Sequence, residues 1–506
     1  MNANESLRES ARIYHEKLLG DPSRPGYHFA CPCDIGIPGD PNGAFFANGR
    51  THLMYLYRCV SDGFRWGHLS SADLLHWRAH PDALIPDSLD GGIFSGGAFL
   101  DDDGTVYLSY WALPNEGGKA GIRIAKSSDY YYENWEKFEE LAVEATVCGY
   151  TDMVDSNGNV KHIASADPSN IWKKDGKYYM QAGNLVILDL YRKDGFPPEY
   201  SGDWTDLFVS SDMKSWEYLH RFYTRNPDYT AENEDNMCPS FFTLPKSKDG
   251  GTPSDKYLEL FIAHNRGCQY YIGEYDSDAD LFIPEKHGRM SFNQSTFFAP
   301  EAMLDDKGRQ LMWAWLTDNI DDELWSGVFS LPRTLWLRED GNLGIAPIDE
   351  LKNLRMNGKS SDKITLKNEN SEIPVANHEF YEISFSAEVS AGKTGVILAS
   401  DSDEALKTII YYDSSEKALV LDTNGGTRRG HPNKEVAPFD LCDERLDMTV
   451  YVDKSVIEVF VNDRQALARR IYLNEGEKTV PSLFAENGEA VFYGVKSWEI
   501  MPTNLY

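Results

Sequence analysis

Asp40-Pro41-Asn42-Gly43-Ala44-Phe45-Phe46-Ala47-Asn48-Gly49 is the stretch on which the fold can be read. A short aromatic strand runs into Asn-Gly, the dipeptide that suits the two left-handed positions of a tight hairpin turn. Turns of this kind recur at Asp103-Gly104, Asp175-Gly176, Asp249-Gly250 and Asp306-Lys307-Gly308, at intervals of 55, 72, 74 and 57 residues. Each interval holds about one four-stranded blade, so five turns predict five blades. A second signature repeats with the first: Ser70-Ser71 with Asp73 and Trp77, Ser127-Ser128-Asp129 with Trp135, and Ser210-Ser211-Asp212 with Trp216. The expected class is all-β, a five-bladed β-propeller.

The phase of the repeat points to a site. Eight residues before the first three turns stand Asp40, Ser95 and Asp167, and equivalent positions on different blades converge at one end of the central channel. The fourth blade carries an insertion before its turn, where Glu232, Glu234 and Asp235 precede Cys238-Pro239. Carboxylates from three blades should therefore face one pocket.

Composition narrows the chemistry. The 506 residues exceed one hydrophobic core and suggest two domains. A net charge of −31, from 49 basic and 80 acidic residues, argues against nucleic acid and anionic membranes and leaves a neutral substrate as the natural partner. No run of about 18 apolar residues occurs, and the charged stretch Met1 to Asp21 lacks a secretory apolar region, so a cytoplasmic location is expected. Seven scattered cysteines (31, 33, 59, 148, 238, 268 and 442) suit reduced thiols. Cys31-Pro32-Cys33 has no second pair at ligand spacing, so neither metal nor cofactor is expected. Phosphate loops, His-Glu-x-x-His and Gly-x-Ser-x-Gly are absent, whereas paired carboxylates beside aromatic residues are the equipment of glycoside hydrolysis.

In that setting several blocks resemble glycoside hydrolase family 32, the invertase and fructosidase group. They are Tyr27-His28-Phe29 with Gly39-Asp40-Pro41-Asn42-Gly43, Trp66-Gly67-His68, Phe94-Ser95-Gly96, Asp167-Pro168, Cys238-Pro239, Phe298-Ala299-Pro300-Glu301 with Trp313 and Trp315, Ser330-Leu331-Pro332-Arg333, and Val452-Asp453 to Phe460-Val461-Asn462. The resemblance implies a propeller followed by a β-sandwich, retaining cleavage of β-fructofuranosyl linkages in sucrose or fructan-type oligosaccharides, Asp40 as nucleophile and Asp167 as transition-state stabiliser. It also shows departures: Ile37 and Gly39 stand where the family has Trp and Asn, Leu56 where it has Gln, Ala166 where it has Arg, and Met237 where its acidic Glu precedes Cys-Pro.

With that Glu displaced, Glu234 is the expected general acid and Asp235 a partner for sugar hydroxyls. Trp66, Phe94, Ser95 and Trp315 are expected to line the sugar site, with Asn42 beside them. The rival readings are a fructosyltransferase, an inverting arabinofuranosidase-like propeller enzyme and a non-catalytic sugar-binding protein. The expected domains are a helical appendage at 1–24, with Leu7, Ala11, Tyr14 and Leu18 on one packed side, a propeller at 25–355, a linker at 356–362 and a sandwich at 363–506 that would also serve a homodimer.

Overall fold

The computed structural model describes residues 3–31, 39–59, 63–147, 149–154, 157–185, 200–292, 296–317, 325–390, 392–401, 406–423, 434–442, 444–473 and 476–504. Ile37, Cys33 and Cys148 lie outside the described residues. The chain divides into two compact units: one holds Ile35–Trp315 with Pro332–Gly344, and the other holds Met1–Asp34, Leu316–Leu331 and Ile345–Tyr506.

The first unit carries the five-bladed propeller. Blade one comprises Pro41–Ala47, Arg50–Cys59, Gly63–Ser71 and Arg78–Leu84, paired in sequence order. The inner strands of the next four blades are Gly92–Leu100, Ala166–Pro168 continued by Trp172–Lys174, Met237–Pro245, and Phe297–Leu304. All five predicted turns follow these inner strands, and at two of them both central residues are left-handed: Asn48 (φ 53°) with Gly49 (φ 74°), and Asp175 (φ 51°) with Gly176 (φ 74°). The serine-aspartate-tryptophan signature is a second turn. Ser210 Oγ donates to Asp212, Met213 turns left-handed, and the Trp216 indole N–H donates to the Met213 carbonyl at 3.1 Å. Tyr132 and Trp135 repeat this in blade two.

Neighbouring blades are tied through their first and second strands. Gly96 N–H donates to Asn42 Oδ1 at 3.1 Å, Ser109 Oγ to the Ser169 carbonyl at 2.8 Å, and the Asn170 amide clasps both the N–H and the carbonyl of Phe241. Ala44 N–H donates to Glu301 Oε1 at 2.5 Å and so joins blade one to blade five. Apolar side chains fill the gaps between blades, with Trp66, Tyr110, Met54 and Ile93 between the first two.

In the second unit the C-terminal strands form one ten-stranded sheet that folds into the sandwich. The long strand Thr479–Ile500 pairs by its first half with Lys393–Ser400 and by its second half with Phe380–Val389, so it crosses from one layer to the other. Arg355–Glu372 pairs along its whole length. Residues 356–362, expected as a linker, are therefore part of a strand. Their polarity reflects a solvent-facing strand held by its backbone ladder. Segment 26–31, expected in the propeller, belongs to this unit: the amides of Gly26, Tyr27 and His28 all donate to the Asp453 carboxylate, and His28 bridges Asp453 and Glu458. Helix Ala3–Gly20 forms, but the expected packed side does not, because Leu7 is 70% exposed and only Leu18 is buried.

Gly97 sets the approach of blade two to blade three. A Cβ there would lie 2.4 Å from the Asn170 nitrogen, a backbone atom with little room to retreat. Gly97→Ala is expected to cost about 3 kcal/mol of stability, read as a lower urea midpoint at unchanged slope.

Candidate active site

Four inner strands break register at the same end. The shifts fall between Asn42 and Phe45, between Ile93 and Gly96, between Ala166 and Pro168, and between Met237 and Ser240. A bulge turns side chains that regular pleating would send elsewhere, and here Ser95, Asp167 and Cys238 lie within these breaks. Asp40 stands just ahead of the first, pinned by Leu56 N–H to its carbonyl at 2.8 Å and restricted to extended backbone by Pro41. Cys238 adopts φ 50° directly before Pro239, a conformation that costs energy in a non-glycine residue.

These residues meet. Ser95 Oγ donates to Asp40 Oδ2, and Cys238 Sγ lies 3.8 Å from Asp40 Oδ2 and 3.4 Å from Asp167 Oδ2. Burial and the two carboxylates raise the Cys238 thiol well above its ordinary pKa, so it stays protonated as a weak donor to both. Burial pushes the Asp40 carboxyl up, opposed by the Ser95 and Cys238 hydrogen bonds and the His264 charge. Asp167, 6% exposed, is pushed to about 7, by burial first and by the Asp40 charge second.

A histidine that the sequence reading missed completes the cluster. His264 follows Pro253–Ala263 in the turn of blade four; its backbone N–H donates to Asp235 Oδ1 at 2.7 Å and Nδ1 lies 2.5 Å from Asp235 Oδ2. Its ring sits edge-on to Phe298 at 5.8 Å, and Phe298 meets Trp315 at 6.0 Å. Trp315, half-buried, borders Gly39, where an added Cβ would lie 3.8 Å from its ring. Phe298 shares the repeat phase of Asp40 and Asp167, eight residues before the fifth turn, which is the signal that would have found this wall.

Other expected members take different places. Glu234 is buried and accepts from both Arg289 guanidinium nitrogens at 2.9 Å, from Gln269 at 3.0 Å and from Ala231 N–H at 3.0 Å. Burial alone would raise its pKa, yet these bonds hold it below the ordinary value, the reverse of what a proton donor needs. Asp235, its chain neighbour, points the other way, as successive residues of an extended segment do. Both Asp235 oxygens bond to His264 and the carboxylate is wholly buried, so it does not face a sugar hydroxyl in the expected manner. Trp66 is fully buried between blades with its indole N–H on the Phe94 carbonyl, and so belongs to the core. Asn42 is buried too, its amide shared between the Asp40 carbonyl and Gly96 N–H. Ser95 spends its hydroxyl on Asp40, while Phe94 remains half-exposed against Phe64 and Trp111. Among the described residues no cluster of three or more His, Cys, Asp or Glu side chains could hold a metal ion.

The raised Asp167 pKa has a stability consequence. A carboxyl that titrates higher in the folded than in the unfolded chain binds more protons when folded, so stability is lost as pH rises from the ordinary aspartate value of 3.8 to about 7. Asp167→Asn, which imitates the protonated form, is expected to be more stable than the wild type above pH 7 by on the order of a few kcal/mol. The gap should close toward pH 4 in thermal unfolding followed across that range.

Two family models cover the chain: the Glycosyl hydrolases family 32 N-terminal domain matches residues 28–347, and the family 32 C terminal matches residues 350–500. A sucrose-6-phosphate hydrolase of Zymomonas mobilis is 27% identical over 97% of this chain and 94% of its own length. A raffinose invertase of Escherichia coli is 27% identical over 98% and 99%. The crystal structure of fructan 1-exohydrolase IIa from Cichorium intybus shares the fold with a TM-score of 0.80 at 21% identity, covering 96% of this chain and 98% of that one. With matched models running almost from one end of the sequence to the other, the chain belongs to glycosyl hydrolase family 32.

Proposed function

We propose that the enzyme cleaves β-fructofuranosyl linkages in neutral sugars, sucrose or fructan-type oligosaccharides, with retention at the anomeric carbon. The observation that carries this reading is the pair Asp40 and Asp167, from different blades, bridged by one thiol at 3.8 and 3.4 Å. Asp40 attacks the anomeric carbon and Asp167 stabilises the positive charge that develops on the sugar ring. Ser95 and Cys238 hold the Asp40 oxygen that they both touch, so the nucleophile is oriented before substrate arrives. Trp315, Phe298 and Phe94 supply the apolar wall. The sucrose-6-phosphate hydrolase and invertase among the relatives support the substrate class, and the net charge of −31 favours an uncharged member of it.

Product stereochemistry, followed by NMR on a panel of sucrose, fructan oligosaccharides and arabinofuranosides, tests the reading. Retention is expected, and an inverted first product would exclude Asp40 as nucleophile. Asp40→Asn should lose about three orders of magnitude or more in kcat while remaining folded. Because Asp40 must be ionised to attack and burial raises its pKa, kcat/KM should decline on acidification at a pH above the ordinary aspartate range.

A further inference from the structure

We infer that His264, held by Asp235, is the group that protonates the leaving oxygen and afterwards activates water. This assignment rests on the retaining reading above and supplies what it lacks, since Met237, an apolar and buried side chain, stands where the family pattern places its acid.

Among the described residues, the neighbouring carboxyl groups are committed elsewhere. Glu234 is paired with Arg289. Glu259 is fully buried and accepts from Gln181 and Asn236, and Glu301 is buried with the Ala44 amide on its oxygen. Asp235 is wholly buried beneath His264. The imidazole, by contrast, is 40% exposed and feels the charges of both Asp40 and Asp167. Its turn is firmly set, since Arg266 N–H donates to the Ala263 carbonyl at 2.9 Å and the Asn265 amide to the Asn233 carbonyl at 2.9 Å.

Nδ1 is bonded to Asp235, and proton transfer is assigned to the opposite ring nitrogen, Nε2. In the first step the Nε2 proton passes to the glycosidic oxygen as its bond to the anomeric carbon breaks, the bond electrons go to that oxygen, and an Asp40 oxygen bonds to the carbon. In the second step water gives a proton to Nε2, its oxygen bonds to the anomeric carbon, and Asp40 leaves as carboxylate. Partial burial would lower the His264 pKa, but the bond to Asp235 and the charges of Asp235, Asp167 and Asp40 raise it overall; the Cys238 thiol beside those aspartates stays neutral. The shift thus favours the imidazolium, the form the first step needs. Once Asp40 is esterified its charge disappears, the imidazolium loses that support, and the ring becomes a better proton acceptor for the second step.

Cleavage of sucrose and of a nitrophenyl β-fructofuranoside, whose phenolate leaves without protonation, separates the roles. His264→Gln should lose about 10²–10⁴-fold in kcat/KM on sucrose, keep most of it on the aryl substrate, and accumulate the covalent sugar adduct on Asp40 visible by mass spectrometry. The alkaline limb of the wild-type profile on sucrose should lie above the ordinary imidazole range, and Asp235→Asn should move it to lower pH. Equal losses of His264→Gln on both substrates, or sucrose cleavage at the wild-type rate with the same alkaline limb, would overturn the assignment. So would an Asp235→Asn variant that loses activity with its limb unmoved. Wild-type enzyme that leaves both substrates intact and forms no adduct would instead overturn the retaining reading itself.

Discussion

A strand that keeps its register sends successive side chains to opposite faces of the sheet, so a group on an inner blade strand ordinarily points toward one neighbouring blade or the other. The channel mouth lies along neither direction. Here the inner strands of blades one to four each break register at the entering end, and Ser95, Asp167 and Cys238 are carried on those breaks. The side-chain clasps between blades, Asn42 to Gly96 and Asn170 to Phe241, fix how far apart the breaks stand. Geometry at the mouth is thus set by the most rigid contacts of the propeller, and the left-handed Cys238 is strain that this rigidity sustains.

Convergence has an electrostatic cost, because two carboxyl groups are brought into a setting that favours neither as an anion. The hydroxyl of Ser95 and the thiol of Cys238 offset part of it, and the charge on His264 offsets a further part. An aliphatic side chain at any of these three positions would leave the aspartates less able to ionise together. The same carboxylates favour a proton on the imidazole, so in the roles proposed for them His264 and Asp40 each support the charge state that the other needs.

The propeller was legible because its hairpins require left-handed backbone that Asn, Asp and Gly tolerate, and such residues mark the period openly. The phase of Asp40, Ser95 and Asp167 was legible for the same reason. Bulges carry no comparable mark, and their absence from the reading accounts for its errors. Trp66 sits on the third strand of blade one, beside a register break against the fourth, and points into the core, while the adjacent Asp235 and Glu234 diverge onto His264 and Arg289. His264 was hidden because it enters from the turn after a second strand, outside the phase that the inner strands share. The polar run at 356–362 looked like a linker because a strand whose side chains face solvent needs no apolar alternation.

The Asp453 carboxylate that gathers the amides of Gly26, Tyr27 and His28 joins residues more than 400 positions apart. During synthesis the inner strands of all five blades leave the ribosome before Asp453 exists, and each blade can pair with its neighbour as it emerges. The segment around His28 has no such option, since its buried imidazole and three amides find their acceptors only when Asp453 and Glu458 arrive. The protein therefore assembles its propeller in vectorial order while a segment made before any blade is among the last to be locked in place, and a stalled or clipped chain would expose that segment before its blades.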